Sequence, residues 1–279
     1  MKINLARSAG FCFGVRRAIN IAFEAARKNT SINMLGDIVH NEDVVKEIEK
    51  AGIKKIKKLV PVKNKVLLIR AHGATKNIFL KAKRFGYRII DATCPMVREI
   101  HKIAKNVEQK GYTLIVIGDK RHDEVLGIIG NLKKKSLVID CLENIPLKII
   151  KKIKKAAVVV QSTQDLKKVL KIVDYLTGFI PELKFFNTIC KPTRTKQEEI
   201  RKMPKSNDVM IIIGSKNSAN TKRLYEISKS VNKKSHWINS RKDIDNNWFK
   251  GAKNVGITAG ASTPESTIQD VVQYIKGIR

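Results

Sequence analysis

The sequence has little of several features that mark common protein classes. Aromatic residues make up only 6% of the chain, and no basic run is interleaved with them, which disfavours a protein that stacks single-stranded nucleic acid on aromatic rings. Four cysteines in 279 residues are too few for a disulfide scaffold. No apolar run approaches the roughly 20 residues of a membrane span. The first residues lack the apolar core of a signal peptide, so we expect a cytoplasmic protein.

Three familiar motifs are also missing. The sequence contains neither GxxxxGK[ST] nor GxGxxG, so it offers no P-loop or dinucleotide fingerprint. No two cysteines are spaced as CxxC, which excludes the usual zinc and ferredoxin ligand patterns. No long linker rich in proline, glycine and serine divides the chain. We therefore expect tightly packed lobes.

Acidic residues are scarce beside basic ones. The chain has 25 Asp and Glu against 56 Lys and Arg, a net charge of +31. Lysines recur along the whole chain instead of forming one stripe, which favours solvated surfaces over a dedicated nucleic-acid interface. The electrostatic field of so positive a protein still attracts acidic proteins and diphosphates.

Three of the cysteines lie in similar settings. Cys12, Cys94 and Cys190 are each followed four residues later by an arginine, and each precedes a predicted helix. This similarity indicates one α/β unit used three times, each copy giving one thiolate to a common centre. Thiolates favour zinc or an iron–sulfur cluster, and three ligands leave one position open. The alternative, a small buried apolar residue, is the expected role of Cys141.

Short β-branched runs alternate with Lys- and Glu-rich amphipathic segments. The runs are 66–69, 88–90, 114–117, 157–160, 209–213 and 255–258. Continuous apolar strands between helices predict an α/β protein with parallel sheets covered on both faces. Helices are predicted over 95–110 and 221–230, with Pro95 and Pro264 in first turns.

Polar motifs come directly after these strands, at the sheet edge where ligands of α/β proteins collect. Histidine, hydroxyl and amide groups there suit an anion, although serine and asparagine are also ordinary helix caps. Glu124 is a general acid if burial raises its pKa, and otherwise a solvated carboxylate. The motifs are Ala71-His72-Gly73, His122-Asp123-Glu124, Gln161-Ser162-Thr163, Gly214 to Asn220 and Ala259 to Thr263.

The sequence resembles the 4-hydroxy-3-methylbut-2-enyl diphosphate reductases (the IspH/LytB family) over essentially its whole length. Nine motifs match in order, and together they are highly specific. They are 10–15 (GFCFGV), 40–41 (HN), 71–73 (AHG), 91–95 (DATCP), 122–127 (HDEVLG), 161–163 (QST), 188–190 (TIC), 214–218 (GSKNS) and 258–262 (TAGAS).

The resemblance implies three pseudo-repeated α/β lobes in a trefoil around a [4Fe–4S] cluster. The lobes would span 13–94, 95–188 and 189–279, with residues 1–12 near the third. Cys12, Cys94 and Cys190 would bind the cluster and leave its fourth iron open. The diphosphate would be bound by His40, His72, His122, Ser218, Asn220 and Ser262. Glu124 would relay protons, and Thr163 would lie beside the hydroxymethyl end of the substrate.

The implied reaction is reductive dehydroxylation of 4-hydroxy-3-methylbut-2-enyl diphosphate to isopentenyl and dimethylallyl diphosphate, in a bacterial cytoplasm. Electrons would come from an acidic carrier such as flavodoxin or ferredoxin. The sequence departs from the family pattern at Asp123 (usually Pro), Ser162 (usually Thr), Ala219 (often Ser) and Lys191-Pro192. Two rivals from other classes remain: a basic nucleic-acid-binding protein with a structural metal, and a zinc hydrolase with three thiolate ligands.

Overall fold

The structure, a computed structural model, describes residues 1–278. In that range it contains three four-stranded sheets whose neighbouring strands pair in parallel. The first consists of β2 (Ile32–Leu35), β3 (Ile53–Ile56), β4 (Lys65–Ile69) and β5 (Tyr87–Asp91). The second consists of β6 (Thr113–Ile117), β7 (Leu137–Ile139), β8 (Lys155–Val160) and β9 (Glu182–Phe185). The third consists of β10 (Val209–Ile213), β11 (Ser235–Ile238), β12 (Asn254–Ala259) and the N-terminal β1 (Lys2–Leu5). The prediction of three α/β lobes is confirmed.

Helices connect the strands. They are α1 (Phe13–Lys28), α2 (Glu42–Lys50), α3 (Lys76–Arg84), α4 (Pro95–Gln109), α5 (Asp123–Ile129), α6 (Leu147–Ile150), α7 (Leu166–Thr177), α8 (Lys191–Lys202), α9 (Ala219–Val231) and α10 (Glu265–Gly277). The helices predicted over 95–110 and 221–230 are α4 and α9. Within residues 1–278 no helix has both the length and the apolar character to cross a membrane.

The three sheets share one strand order. The first sheet runs β3-β2-β4-β5 and the second β7-β6-β8-β9, so in chain order each reads second, first, third, fourth. The third sheet runs β11-β10-β12-β1, which is the same order with its fourth strand supplied by the N-terminus. β1 pairs with β12 in parallel, with Leu5 opposite Ile257. The repeat predicted from the cysteines is therefore present, with its third copy split between the two chain ends.

Two compact units make up the chain. The first comprises Met1–Arg16, Val39–Lys46 and the chain from Lys191, and it contains the third sheet. The second comprises Arg17–Ile38 and Glu47–Cys190, and it contains the other two. Central strands are buried on both faces; every residue of β10 is 0% exposed. This two-sided burial explains their continuous apolar sequences.

Candidate active site

The predicted site residues occupy equivalent positions in the three sheets. Because the strands of each sheet are parallel, their carboxyl ends lie at one edge. The fifth residue after the first strand of each sheet is His40, His122 or Ser218. The seventh is Glu42, Glu124 or Asn220. The third residue after the third strand is His72, Thr163 or Ser262, and the fourth strand precedes Cys94, Cys190 or Cys12.

One hydrogen bond recurs at the three cysteines. The backbone N–H of Cys94 donates to the carbonyl of Ala71 at 2.9 Å, that of Cys190 to Ser162 at 3.1 Å, and that of Cys12 to Ala261 at 3.1 Å. Each acceptor is the second residue after the third strand of its own sheet. The repeat therefore fixes each cysteine backbone to the loop that carries His72, Thr163 or Ser262.

All three cysteines precede a helix and are half-buried thiols. Cys94 is the N-cap of α4, with Pro95 in the first turn as predicted. The Sγ of Cys12 accepts a hydrogen bond from the N–H of Val15 at 3.5 Å. Within residues 1–278 none of the four cysteines forms a disulfide.

Lys196 is a functional residue that sequence reasoning missed. Its side chain is only 2% exposed, and its ammonium donates to the carbonyls of Gly10 at 3.0 Å and Ala259 at 3.2 Å, and to that of Ser8. Burial lowers the pKa of Lys196 to about 8, opposed by the negative charges of Cys12 and Glu199. Lys196 thus fastens the segment before Cys12 to the end of β12. Nothing in the polar sequence of α8 distinguishes it from the many exposed lysines.

Glu199, one turn along α8, binds the same segment. Its carboxylate accepts from the N–H of Arg7 at 2.7 Å, the N–H of Ser8 at 3.0 Å and the hydroxyl of Ser8 at 2.5 Å. A cation and a carboxylate on one helix face therefore hold both the carbonyls and the N–H groups of residues 7–10. The conformation of the chain leading to Cys12 is fixed by α8.

Glu124 is the most deeply buried carboxylate of the site, 1% exposed, in the first turn of α5. One oxygen accepts from the N–H of Ser162 at 2.6 Å and the other from the Ser162 hydroxyl at 2.8 Å. Burial raises the pKa of Glu124, and both hydrogen bonds from Ser162 partly oppose the rise. Burial thus favours the protonated form of Glu124, which is the form that a general acid needs.

His72 and His122 lie edge to face, with ring centroids 5.4 Å apart. His122 is the N-cap of α5, and its Nδ1 accepts from the N–H of Glu124 at 3.2 Å. With Nδ1 accepting, Nε2 is the nitrogen that carries the proton in the neutral ring. The predicted acid and two predicted anion ligands therefore lie together in the second unit.

An ion pair connects the loops that carry these histidines. Arg70 donates to both carboxylate oxygens of Asp123, at 2.6 and 2.8 Å. Asp123 is the residue that departs from the proline of the family pattern. The bidentate pair supplies a restraint of another kind, since planar Arg–carboxylate pairs fix geometry as well as charge.

In the first unit, hydroxyl and amide groups lie at the start of α9. Ser218 is the N-cap, and its hydroxyl accepts from the N–H of Thr221 at 3.3 Å. Asn220 is 4% exposed, and neither its amide nitrogen nor its amide oxygen has a hydrogen-bond partner among the described residues. Such buried unsatisfied groups are rare, and a ligand or a water molecule normally satisfies them. The Ser262 hydroxyl donates to the carbonyl of His40 at 3.0 Å.

The backbone around these groups is tightly packed. A Cβ on Gly260 would lie 2.1 Å from the hydroxyl oxygen of Thr221, so only glycine fits between β12 and α9. In the second unit the amide of Gln161 donates to the hydroxyl oxygen of Thr163 at 2.9 Å and orients that side chain. The polar motifs that follow the strands are thus held by their neighbours.

Comparison with known proteins agrees with these features. A family model described as LytB protein matches residues 3–276. The 4-hydroxy-3-methylbut-2-enyl diphosphate reductase of Geotalea daltonii is 41% identical over 278 residues, covering 100% of this chain and 98% of its own. The enzyme of the same name from Campylobacter concisus is 41% identical over 280 residues, covering 100% of both.

Two solved structures are similar over most or all of their length. One is (E)-4-hydroxy-3-methyl-but-2-enyl diphosphate reductase, described as the terminal enzyme of the non-mevalonate pathway; it has 36% identity, a TM-score of 0.73 and 100% coverage of both chains. The other is the E-1-hydroxy-2-methyl-but-2-enyl-4-diphosphate reductase of Plasmodium falciparum. It has 30% identity and a TM-score of 0.90, covering 99% of this chain and 88% of its own. The chain belongs to the LytB protein family.

Proposed function

We propose that this chain reduces 4-hydroxy-3-methylbut-2-enyl diphosphate to isopentenyl and dimethylallyl diphosphate. The allylic C–O bond breaks, two electrons and two protons are taken up, one C–H bond forms, and water leaves. Relatives named for this reductase activity match the chain over its whole length. The observation that carries the proposal is Ser162, which holds the buried Glu124 by two hydrogen bonds and the backbone of Cys190 by a third.

We assign Cys12, Cys94 and Cys190 as ligands of an iron–sulfur cluster of the [4Fe–4S] type. The donor set fits, because all three are thiols at helix starts and share one backbone restraint. The buried Lys196 ammonium offsets negative charge beside Cys12. When bound, the cluster supplies single electrons and, through an iron without a protein ligand, a Lewis acid for the hydroxyl oxygen.

The diphosphate is bound by residues that follow the first and third strands. His72 and His122 are paired in the second unit, and His40 belongs to the same set in the first. Ser218, Asn220 and Ser262 supply hydroxyl and amide donors, and the start of α9 adds backbone N–H groups. The unsatisfied amide of Asn220 is the feature that most directly supports an anion here.

Glu124 holds the proton. Burial favours its neutral form, so it can donate to the departing hydroxyl group and be reprotonated afterwards. Thr163, held by Gln161, lies beside the hydroxymethyl end of the substrate in this assignment. Placement and proton supply come from the protein, and the electrons come from an acidic carrier protein.

Turnover by the anaerobically reconstituted protein tests the proposal. Dithionite-reduced methyl viologen serves as the electron source, and the five-carbon products are separated and quantified. Formation of both diphosphates, absent from protein without the cluster, is expected. A fully loaded protein that leaves the substrate unchanged would contradict the assigned reaction.

A further inference from the structure

A basic groove opens on the second unit beside the loop that carries Cys94. Its volume is about 1360 Å³. Helix α4 forms one wall, α3 contributes another, and the turn after α5 closes the end. Thr93, the residue before Cys94, lies in its lining. The groove thus borders the backbone of a proposed cluster ligand.

The groove has an excess of positive charge. Two carboxylates line it, and so do six cationic side chains: Lys76, Arg98, Lys102, Lys105, Lys133 and Lys134. On α4, Arg98, Lys102 and Lys105 follow one another at helical spacing and form a stripe on one helix face.

Both carboxylates are already engaged. Asp91 pairs with Arg98 at 2.9 Å and accepts from the N–H of Thr93. Glu108 accepts from the N–H groups of Lys133 and Lys134, at 2.9 and 2.7 Å. The five lysines of the groove form no ion pair with any residue in 1–278. Their charges are available to a partner.

A histidine in the lining of the groove is affected by the neighbouring positive charge. His101 lines the groove, and burial followed by the charge of Lys105 lowers the pKa of His101 to about 4. The neutral imidazole of His101 adds no charge to the groove. The positive potential therefore comes from the lysine and arginine side chains of the lining, and clustered charge of one sign steers an oppositely charged protein.

We propose that this groove is the docking surface for a small acidic electron-carrier protein with a flavin or iron–sulfur group. The proposal rests on the reductase activity proposed above, which consumes two electrons per substrate. The chain has no dinucleotide fingerprint, so a second protein is the natural source of those electrons. The carrier is oxidised in one-electron steps as the substrate is reduced. Electron-transfer encounters are small and weak, which suits a single groove lined by flexible lysines.

The test compares two charge-reversed variants of the full-length, cluster-loaded protein. K102E/K105E changes the groove, and K167E/K171E makes the same charge change on α7, outside the lining. Turnover is measured with a reduced flavodoxin at several concentrations and ionic strengths. We expect the groove variant to raise the KM for flavodoxin about tenfold and to flatten its salt dependence, with little change in the control.

Methyl viologen separates this proposal from the proposed activity. The groove variant should turn over with the reduced dye at the wild-type rate, which shows that site and cluster are intact. If neither the wild type nor either variant turns over with the reduced dye, the proposed activity itself is contradicted. Dye-driven turnover combined with equal flavodoxin KM values in both variants would overturn the docking surface. Loss of binding to a single-stranded oligonucleotide in the groove variant, with an unchanged flavodoxin KM, would also overturn it and assign the groove to nucleic acid.

Discussion

Ser162 donates both its backbone N–H and its hydroxyl to the carboxylate of Glu124, at 2.6 and 2.8 Å. The carbonyl of the same serine accepts from the N–H of Cys190 at 3.1 Å. One residue therefore joins the proposed proton donor to a proposed cluster ligand through its own backbone. The proposed proton donor and this proposed cluster ligand are therefore both positioned by the loop after β8.

Replacement of Glu124 by glutamine should abolish most turnover without loss of the cluster. Glutamine keeps the size of the side chain and removes the transferable proton, and positioned acids contribute on the order of 10²–10⁴ in rate. We expect the visible absorbance of reconstituted E124Q to match that of the wild type. Turnover near the wild-type value would contradict the role of Glu124.

The same carboxyl group predicts a pH dependence of stability. Its pKa is raised in the folded state, so the folded protein binds more protons than the unfolded chain between the two pKa values. Stability contributed by the neutral form is complete below the unfolded pKa and is lost as pH rises toward the folded pKa. Urea denaturation across pH should show this decline in the wild type and not in E124Q.

Substitution of Ser162 by alanine should raise the pKa of Glu124 further. The hydroxyl hydrogen bond stabilises the carboxylate, and its removal favours the protonated form. The alkaline limb of the kcat–pH profile should move to higher pH in S162A. S162T, which keeps the hydroxyl, is the matched control and should retain the wild-type profile. If the alkaline limb of the profile is the same in S162A as in the wild type, ionisation of Glu124 does not determine that limb.

Asn220 should matter for binding and not for folding. Its amide makes no hydrogen bond in the described part of the chain, so N220A removes an unsatisfied buried group and should leave the free energy of unfolding unchanged or higher. Loss of a hydrogen bond to a charged diphosphate costs about 1.5–3 kcal/mol, equivalent to a KM raised roughly 10- to 100-fold. N217A, at an exposed residue whose side-chain amide donates to the carboxylate of Glu42, is the control. An unchanged KM in N220A would remove Asn220 from the site.

Lys196→Met should weaken the segment that leads to Cys12. Three carbonyls lose their buried donor, and unsatisfied buried acceptors cost roughly 1–3 kcal/mol. We expect lower thermal stability and faster alkylation of Cys12 in protein without the cluster, measured by peptide mass spectrometry. K202M, at an exposed lysine of the same helix, should behave as the wild type. Equal alkylation rates in both variants would contradict the positioning role.

Five of the six central strands could be predicted, because burial on both faces leaves a continuous apolar sequence. All six predicted runs lie in strands, from β4 to β12. Six strands were not predicted, because each has only three or four residues and is too short to stand out as an apolar run; they are β1, β2, β3, β7, β9 and β11. Without β1, the shared strand order of the third sheet was not visible either.

The residues of the candidate site were also predictable only in part. Motifs after strands identified residues such as His72 and Glu124, because parallel strands bring their carboxyl ends to one edge. Lys196 and the Arg70–Asp123 pair were not found, since burial of a lysine or pairing of loop charges depends on contacts that no local pattern encodes. The ligand and substrate assignments, and the lobe boundaries 13–94, 95–188 and 189–279, stay predictions.

Anaerobic purification with absorbance, iron and sulfide analysis tests the central claim most directly. The account predicts a brown protein that contains iron and acid-labile sulfide in equal amounts, and a C94S variant that loses colour, iron and turnover together. C141S should keep all three, because Cys141 lies outside the repeated positions. A colourless wild-type protein that binds zinc and no sulfide would contradict the account.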